Sequence, residues 1–194
     1  MHKPSSFWRS FRLALASLGV AGCATDSPTA PAMPDESAPV MATATDTVGG
    51  LLQKNALTRT TALTRDITVT ALIGREGGYL RIPEAGFDLA VPKGAVSEPT
   101  KFTVTALRGN LVAYEFGPHG LEFNVPLRAR QDLAKTTWNY AMPQLFAGYF
   151  LEKADLDPGS SKALVAESIE GLTFAWAKRF AWPISHFSGY VVAW

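Results

Sequence analysis

Period-two alternation runs through most of the chain beyond residue 66. Ile67, Val69, Ala71 and Ile73 alternate with Asp66, Thr68, Thr70 and Leu72. Phe87, Leu89 and Val91 alternate with Asp88 and Ala90, and Phe102, Val104 and Ala106 with Lys101, Thr103 and Thr105. Val112, Tyr114 and Phe116 share one face of a further segment, Leu121, Phe123 and Val125 one face of the next, and Tyr190, Val192 and Trp194 one face of the last. Successive side chains of a strand point to opposite sides, so each run predicts a strand with one buried face. Turn residues stand between the runs: Gly77-Gly78, Pro83 to Gly86, Pro92-Lys93-Gly94, Gly109-Asn110 and Gly117-Pro118-His119-Gly120. Helical periodicity is nearly absent. Short strands with turns at roughly 8–12-residue intervals predict an all-β fold, an antiparallel β-sandwich or barrel over residues 66–194.

Two of the turns make a specific demand. Pro92 fixes φ and Gly94 is free to take a positive φ, which together make a tight corner, and Gly120 has the same part before the strand from Leu121. Gly94→Val and Gly120→Val are therefore expected to destabilise the fold, because a β-branched residue tolerates positive φ badly.

The pattern changes ahead of residue 66. Residues 51–65 carry a short echo, Ala56-Leu57-Thr58-Arg59 and Ala62-Leu63-Thr64-Arg65, too brief for a repeat architecture. They read as a lead-in, a short helix or a segment packed loosely on the domain. Residues 23–50 are rich in Pro, Ala, Ser and Thr and poor in large apolar residues, the composition of a disordered tether. Residues 1–22 are different again. Lys3, Arg9 and Arg12 stand without an acid ahead of the apolar run Leu13–Gly22, and Cys23 follows at once. A basic segment and a brief apolar stretch make a secretory signal too short to span a bilayer. With the small residues Ala21 and Gly22 before the thiol, the segment resembles the bacterial lipobox. That resemblance implies cleavage after Gly22, a diacylglycerol thioether on Cys23 and acylation of the new amino terminus. Two or more acyl chains make a stable anchor where one does not. Ala24, rather than Asp, follows the thiol, which by the same resemblance favours the outer membrane of a double-membraned cell.

Composition narrows the remaining classes. The 194 residues hold 18 Lys and Arg against 17 Asp and Glu, so nothing in the charge points to nucleic acid. One Cys excludes an intrachain disulfide framework and a multi-Cys zinc site.

A family resemblance rests on three blocks in order. Gly77-Gly78, Ile82-Pro83-Glu84-Ala85-Gly86 and Val91-Pro92-Lys93-Gly94-Ala95-Val96 form the first, Phe116-Gly117-Pro118-His119-Gly120-Leu121-Glu122-Phe123 the second, and His186-Phe187-Ser188-Gly189-Tyr190 the third. Residues 72–194 on this evidence resemble the ZU-five domain, shared by zonula occludens proteins, Unc-five netrin receptors and ankyrins. Residues 132–183 match less well. The resemblance implies a β-sandwich used for protein–protein contact, usually not an enzyme; no cofactor and no metal are expected.

Candidate chemistry is sparse. Some relatives of the family cut themselves between Phe and Ser of a His-Phe-Ser triplet. Here His186 would act as general base for the Ser188 hydroxyl, whose Oγ would attack the Phe187 carbonyl and give an ester that water opens. The structural alternative is that the triplet begins the last strand with Phe187 in the core. His119 reads as a hydrogen-bonded turn residue, Gly74 to Gly78 as a hairpin turn, and Asp155 and Asp157 as an exposed loop without the spacing of a calcium site. The aromatics read mainly as core, with Trp138 the best candidate for exposure. The expectation is a membrane-tethered, non-catalytic module with a protein or glycan partner at the cell envelope; self-cleavage at Phe187–Ser188 and carbohydrate binding are the alternatives.

Overall fold

The computed structural model describes residues 50–194, with the backbone of Thr47–Val48 ahead of them. The signal segment, Cys23 and residues 24–46 of the tether lie outside the described residues. Seventeen strands follow one another in the described part: β1 (Thr47–Val48), β2 (Leu51–Asn55), β3 (Thr58–Leu63), β4 (Ile67–Ile73), β5 (Gly78–Ile82), β6 (Phe87–Val91), β7 (Thr100–Ala106), β8 (Gly109–Leu111) and β9 (Ala113–Gly117). They continue with β10 (Glu122–Asp132), β11 (Phe146–Phe150), β12 (Leu156–Asp157), β13 (Lys162–Val165), β14 (Glu167–Glu170), β15 (Leu172–Phe174), β16 (Arg179–His186) and β17 (Gly189–Ala193). Four short 3₁₀ turns are the helical elements among the described residues.

Two sheets make the sandwich. One has the order β15-β16-β10-β6-β5, the other β14-β11-β17-β9-β7-β4, and every pairing is antiparallel. Their inner faces meet through aromatics: the Phe87 ring stacks on Tyr114 at 4.2 Å and meets Phe116 at 5.8 Å. The alternation read from sequence is the alternation observed, with Phe87, Leu89 and Val91 buried and Asp88 and Ala90 partly exposed. The turns act as corners between sheets. Gly77, at φ 80°, lets the chain leave β4 in one sheet and enter β5 in the other, so Gly74 to Gly78 is a crossover and not the expected hairpin. A side chain at Gly77 would meet the Val91 carbonyl oxygen at 2.3 Å. Gly94 and Gly120 sit at φ 79° and 75°, the positive φ that their turns require.

The lead-in is not a helix. Residues 51–55 and 58–63 are strands, and the tether expected to run to Gly50 already gives way to β1 at Thr47, with Gly50 at φ 85° in the turn between β1 and β2. Leu57 is buried in the main core; its N–H donates to the Val192 carbonyl and its own carbonyl accepts from Val112 N–H, both at 2.8 Å. Those two fixed partners hold the segment extended where its weak local pattern left it free. The folded body therefore already includes β1 at Thr47–Val48, ahead of the expected boundary at 66.

A third layer lies over part of the sandwich, and β3 and β8 form a two-stranded sheet. β1, β2, β13 and β12 form a four-stranded sheet. Leu52, Leu156, Ala163 and Val165 from it join Ala113, Phe150 and Val191 of the six-stranded sheet in a second core. The outer side of the six-stranded sheet is thus covered over β11, β17 and β9. This corrects the expectation of one buried face for the last strand: Tyr190 and Val192 point into the main core, Val191 into the second, and all of β17 is buried. A strand covered on both sides reads as a continuous apolar run, and Tyr190-Val191-Val192-Ala193 is one. Residues 132–183, where the resemblance weakens, supply half of the extra sheet. A smaller correction concerns Val125, which is exposed because the register of β10 against β16 shifts between Glu122 and Leu127.

Candidate functional site

The triplet His186-Phe187-Ser188 lies at the bend between β16 and β17, and its backbone is fully engaged. Phe187 N–H donates to the Leu121 carbonyl at 2.9 Å, the Phe187 carbonyl accepts from Gly120 N–H at 3.1 Å, and the Ser188 carbonyl accepts from Phe116 N–H at 3.0 Å. Phe187 is buried, with its ring 4.8 Å from Phe123, 5.1 Å from Phe102 and 5.5 Å from Phe116. The His186 ring rests edge-on against Tyr149 at 5.6 Å and near Tyr190 at 6.1 Å, and the Tyr190 hydroxyl donates to the His186 carbonyl at 2.8 Å. Burial, with the charges of Glu167 and Tyr149 adding to it, pushes the Tyr190 phenol well above its usual range, so it remains a donor. Neither the His186 ring nor the Ser188 hydroxyl makes a hydrogen bond among the described residues. One component of acyl-transfer chemistry is present, an N–H aimed at the carbonyl where charge would develop. The contact between base and nucleophile is not formed in this geometry. A cut at Phe187–Ser188 would also free no peptide at once, because β17 is paired to β9 and β11.

The other sequence candidates are scattered. His119 is exposed; its turn is closed by the backbone bond from Leu121 N–H to the Pro118 carbonyl at 3.3 Å, while its ring makes no hydrogen bond among the described residues. Asp155 caps Leu151 and Glu152 N–H, and Asp157 accepts from Gly159 N–H, Ser160 N–H and the Ser160 hydroxyl. These bonds hold the Asp157 carboxyl below its ordinary range, Ser160 contributing most. Among the described residues no group of three His, Cys, Asp or Glu is arranged to hold a metal ion. Trp138 is half-buried against the main core, 4.9 Å from the Tyr140 ring, and among the described residues Trp176 is the exposed tryptophan instead, at 88%.

Arg59 is a buried guanidinium at 5% exposure, stacked 5.5 Å over the Tyr114 ring. Its Nη1 donates to the Leu107 and Leu111 carbonyls, and its Nε and Nη2 meet no acceptor. The Tyr114 hydroxyl donates to Gln131 Oε1, and the Gln131 amide to the Ala85 carbonyl at 3.0 Å. Burial pushes the Tyr114 phenol up to about 12 despite the lowering effect of Arg59.

The outer face of the five-stranded sheet is different in kind. Cross-strand register sets Arg81, Asp88, Arg130, Ala181 and Leu172 in one row, and Tyr79, Ala90, Arg128 and Pro183 in the next. A groove of about 510 Å³ runs over Ala90, Ala181 and Pro183, with Tyr79 on one side and Phe174 on the other. Arg81 pairs with Asp88 at 3.3 Å. Arg128, Arg130 and Arg179 have no salt-bridge partner among the described residues, and Arg130 Nε is buried without an acceptor.

The family model of the ZU5 domain matches residues 69–111. That segment is ZU5-like. No curated protein matches the chain.

The ZU5-like segment runs from within β4 to β8, so it supplies strands to both sheets and contains the Pro92–Gly94 corner. The second and third blocks of the resemblance, His186-Phe187-Ser188 included, lie beyond it. The arginines and aromatics of the outer face were not picked out in the sequence. Their signal was present, since Arg128 and Arg130, and Arg179, Ala181 and Pro183, occupy alternate positions between buried residues of β10 and β16.

Proposed function

We propose that the chain is a lipid-anchored cell-envelope protein whose sandwich serves as a protein-binding or scaffolding module and catalyses no reaction. The ZU5-like match over residues 69–111 in an all-β body carries the binding part, since that domain is a protein-interaction module. The anchor rests on the sequence: a basic segment, a short apolar stretch and the lone thiol of Cys23 behind Ala21 and Gly22. The envelope location, with the outer membrane favoured by Ala24, goes with the anchor. Feeding producing cells a labelled fatty acid tests it. Label on the wild type and none on Cys23→Ser, with loss of the variant from the membrane fraction, is the expected result; equal labelling and fractionation overturn the anchor.

Self-cleavage between Phe187 and Ser188 is a second reading, favoured by the Gly120 N–H held on the Phe187 carbonyl. Intact mass under denaturing conditions decides it: two fragments in the wild type and one chain in Ser188→Ala support cleavage, and one full-length chain in both ends the idea.

A further inference from the structure

Among the described residues, Arg128, Arg130 and Arg179 on the outer face of the five-stranded sheet pair with no carboxylate, although acids are close. Asp88 stands directly across from Arg130 in register yet pairs with Arg81, and the Asp132 carboxylate caps Ala134 N–H. Arg128 and Arg179 project into solvent on either side of Arg130, and the buried Arg130 Nε finds no acceptor. The apolar members are exposed too: Tyr79 at 64%, Leu172 at 67% and Trp176 at 88%, with Phe174 between the last two in sequence.

Three features select the occupant. The groove cations are guanidiniums, whose flat forks match carboxylates two bonds at a time. Arginine with Tyr, Phe and Trp is the composition of the strongly contributing residues in protein interfaces, where lysine is depleted. Leu172 and Phe174 carry no polar edge for a hydroxyl-rich sugar. The groove is lined by the short side chains of Ala90, Ala181 and Pro183 together with Tyr79, Phe174, Arg128 and Arg130, so aromatic and guanidinium groups border the same space.

We propose that this face docks an acidic segment of a partner protein, with Arg128, Arg130 and Arg179 taking its carboxylates and Tyr79, Phe174 and Trp176 gripping its apolar side chains. The inference rests on the protein-binding reading and names the surface that reading lacks. The opposite outer surface differs in chemistry: on β4 and β7 it carries Thr68, Thr70, Thr103 and Thr105, with hydroxyls paired across the strands at 2.9 and 3.4 Å.

Titration of the full-length protein with poly-L-glutamate by calorimetry tests the surface. Binding weakened at least tenfold by Arg128→Glu with Arg179→Glu, unchanged by Lys101→Glu on the threonine face, and with all melting temperatures within a few degrees, supports it. No binding, or equal loss from Lys101→Glu, overturns it. Polygalacturonate bound as tightly through the same arginines overturns the polypeptide partner in favour of an acidic glycan. A photo-crosslinker placed at Tyr79 or at Thr70 in producing cells separates this failure from that of the module reading. Attachment at Tyr79 to an Asp- and Glu-rich peptide supports the proposal. Attachment of protein only at Thr70 overturns the surface and leaves the module intact, and attachment at neither position removes both.

Discussion

The outer faces of the two sandwich sheets have opposite fates. On the six-stranded sheet a third layer seals β11, β17 and β9, and Gly148 is packed so tightly that an added methyl would meet Val165 Cγ1 at 2.4 Å. On the five-stranded sheet the corresponding side carries arginines and aromatics that none of the described residues covers. A sheet face that folding has already covered is selected for shape. One left open is selected for what it can touch, and a substitution there changes contacts with other molecules while leaving the fold alone.

That contrast can be pressed at graded strength. Gly148→Val drives a branched side chain into the sealed side and is expected to cost about 3 kcal/mol by denaturant unfolding, with partial recovery when Val165→Ala makes room. Equal stability of wild type and Gly148→Val would mean that the third layer does not press on the sheet. Alkaline pH probes the interior between the sheets. The Tyr114 phenol is raised from 10.0 to about 12 in the folded state, so the stability it contributes is complete below pH 10 and is lost as pH rises toward 12. Up to ~3 kcal/mol is at stake, and Tyr114→Phe should flatten that part of a stability–pH profile. Gly94→Val and Gly120→Val test the corners. Both sites have open space and positive φ, so backbone strain alone costs about 1–2 kcal/mol, with Gly94→Asn costing less. Trp176→Ala on the open face should change stability by no more than about 0.5 kcal/mol. A loss as large as that of Gly148→Val would mean that the open face is part of the fold after all.

Legibility followed the same divide. Alternation revealed the two sheets because each of their strands has a wet side and a dry side. The third layer was hidden: Leu51–Asn55 is half-buried along most of its length and shows no alternation, and the four residues Lys162–Val165 are too few to declare a period. The repeated tetrapeptide makes the point most sharply. In Ala56-Leu57-Thr58-Arg59 the alanine, leucine and arginine are buried, whereas in Ala62-Leu63-Thr64-Arg65 the alanine and arginine are exposed. Identical residues six positions apart thus meet different neighbours, and no local rule separates them. The His186-Phe187-Ser188 triplet was legible as residues but not as geometry, since the direction of the His186 ring depends on Tyr149 and Tyr190 from two other strands. The open face was missed because arginine at alternating positions reads as ordinary solvated surface until register brings four strands of it together.

β17 sits in the middle of the six-stranded sheet although its residues are drawn from positions 189–193. Until those five residues are available, β9 and β11 have no common neighbour and neither hydrophobic core can close. A polypeptide emerging from its N-terminus must therefore wait, unassembled, for almost all of this sequence to be made. Such a delay would suit the export that we propose, in which the chain is threaded through a translocation channel as a loose strand and snaps shut on the far side.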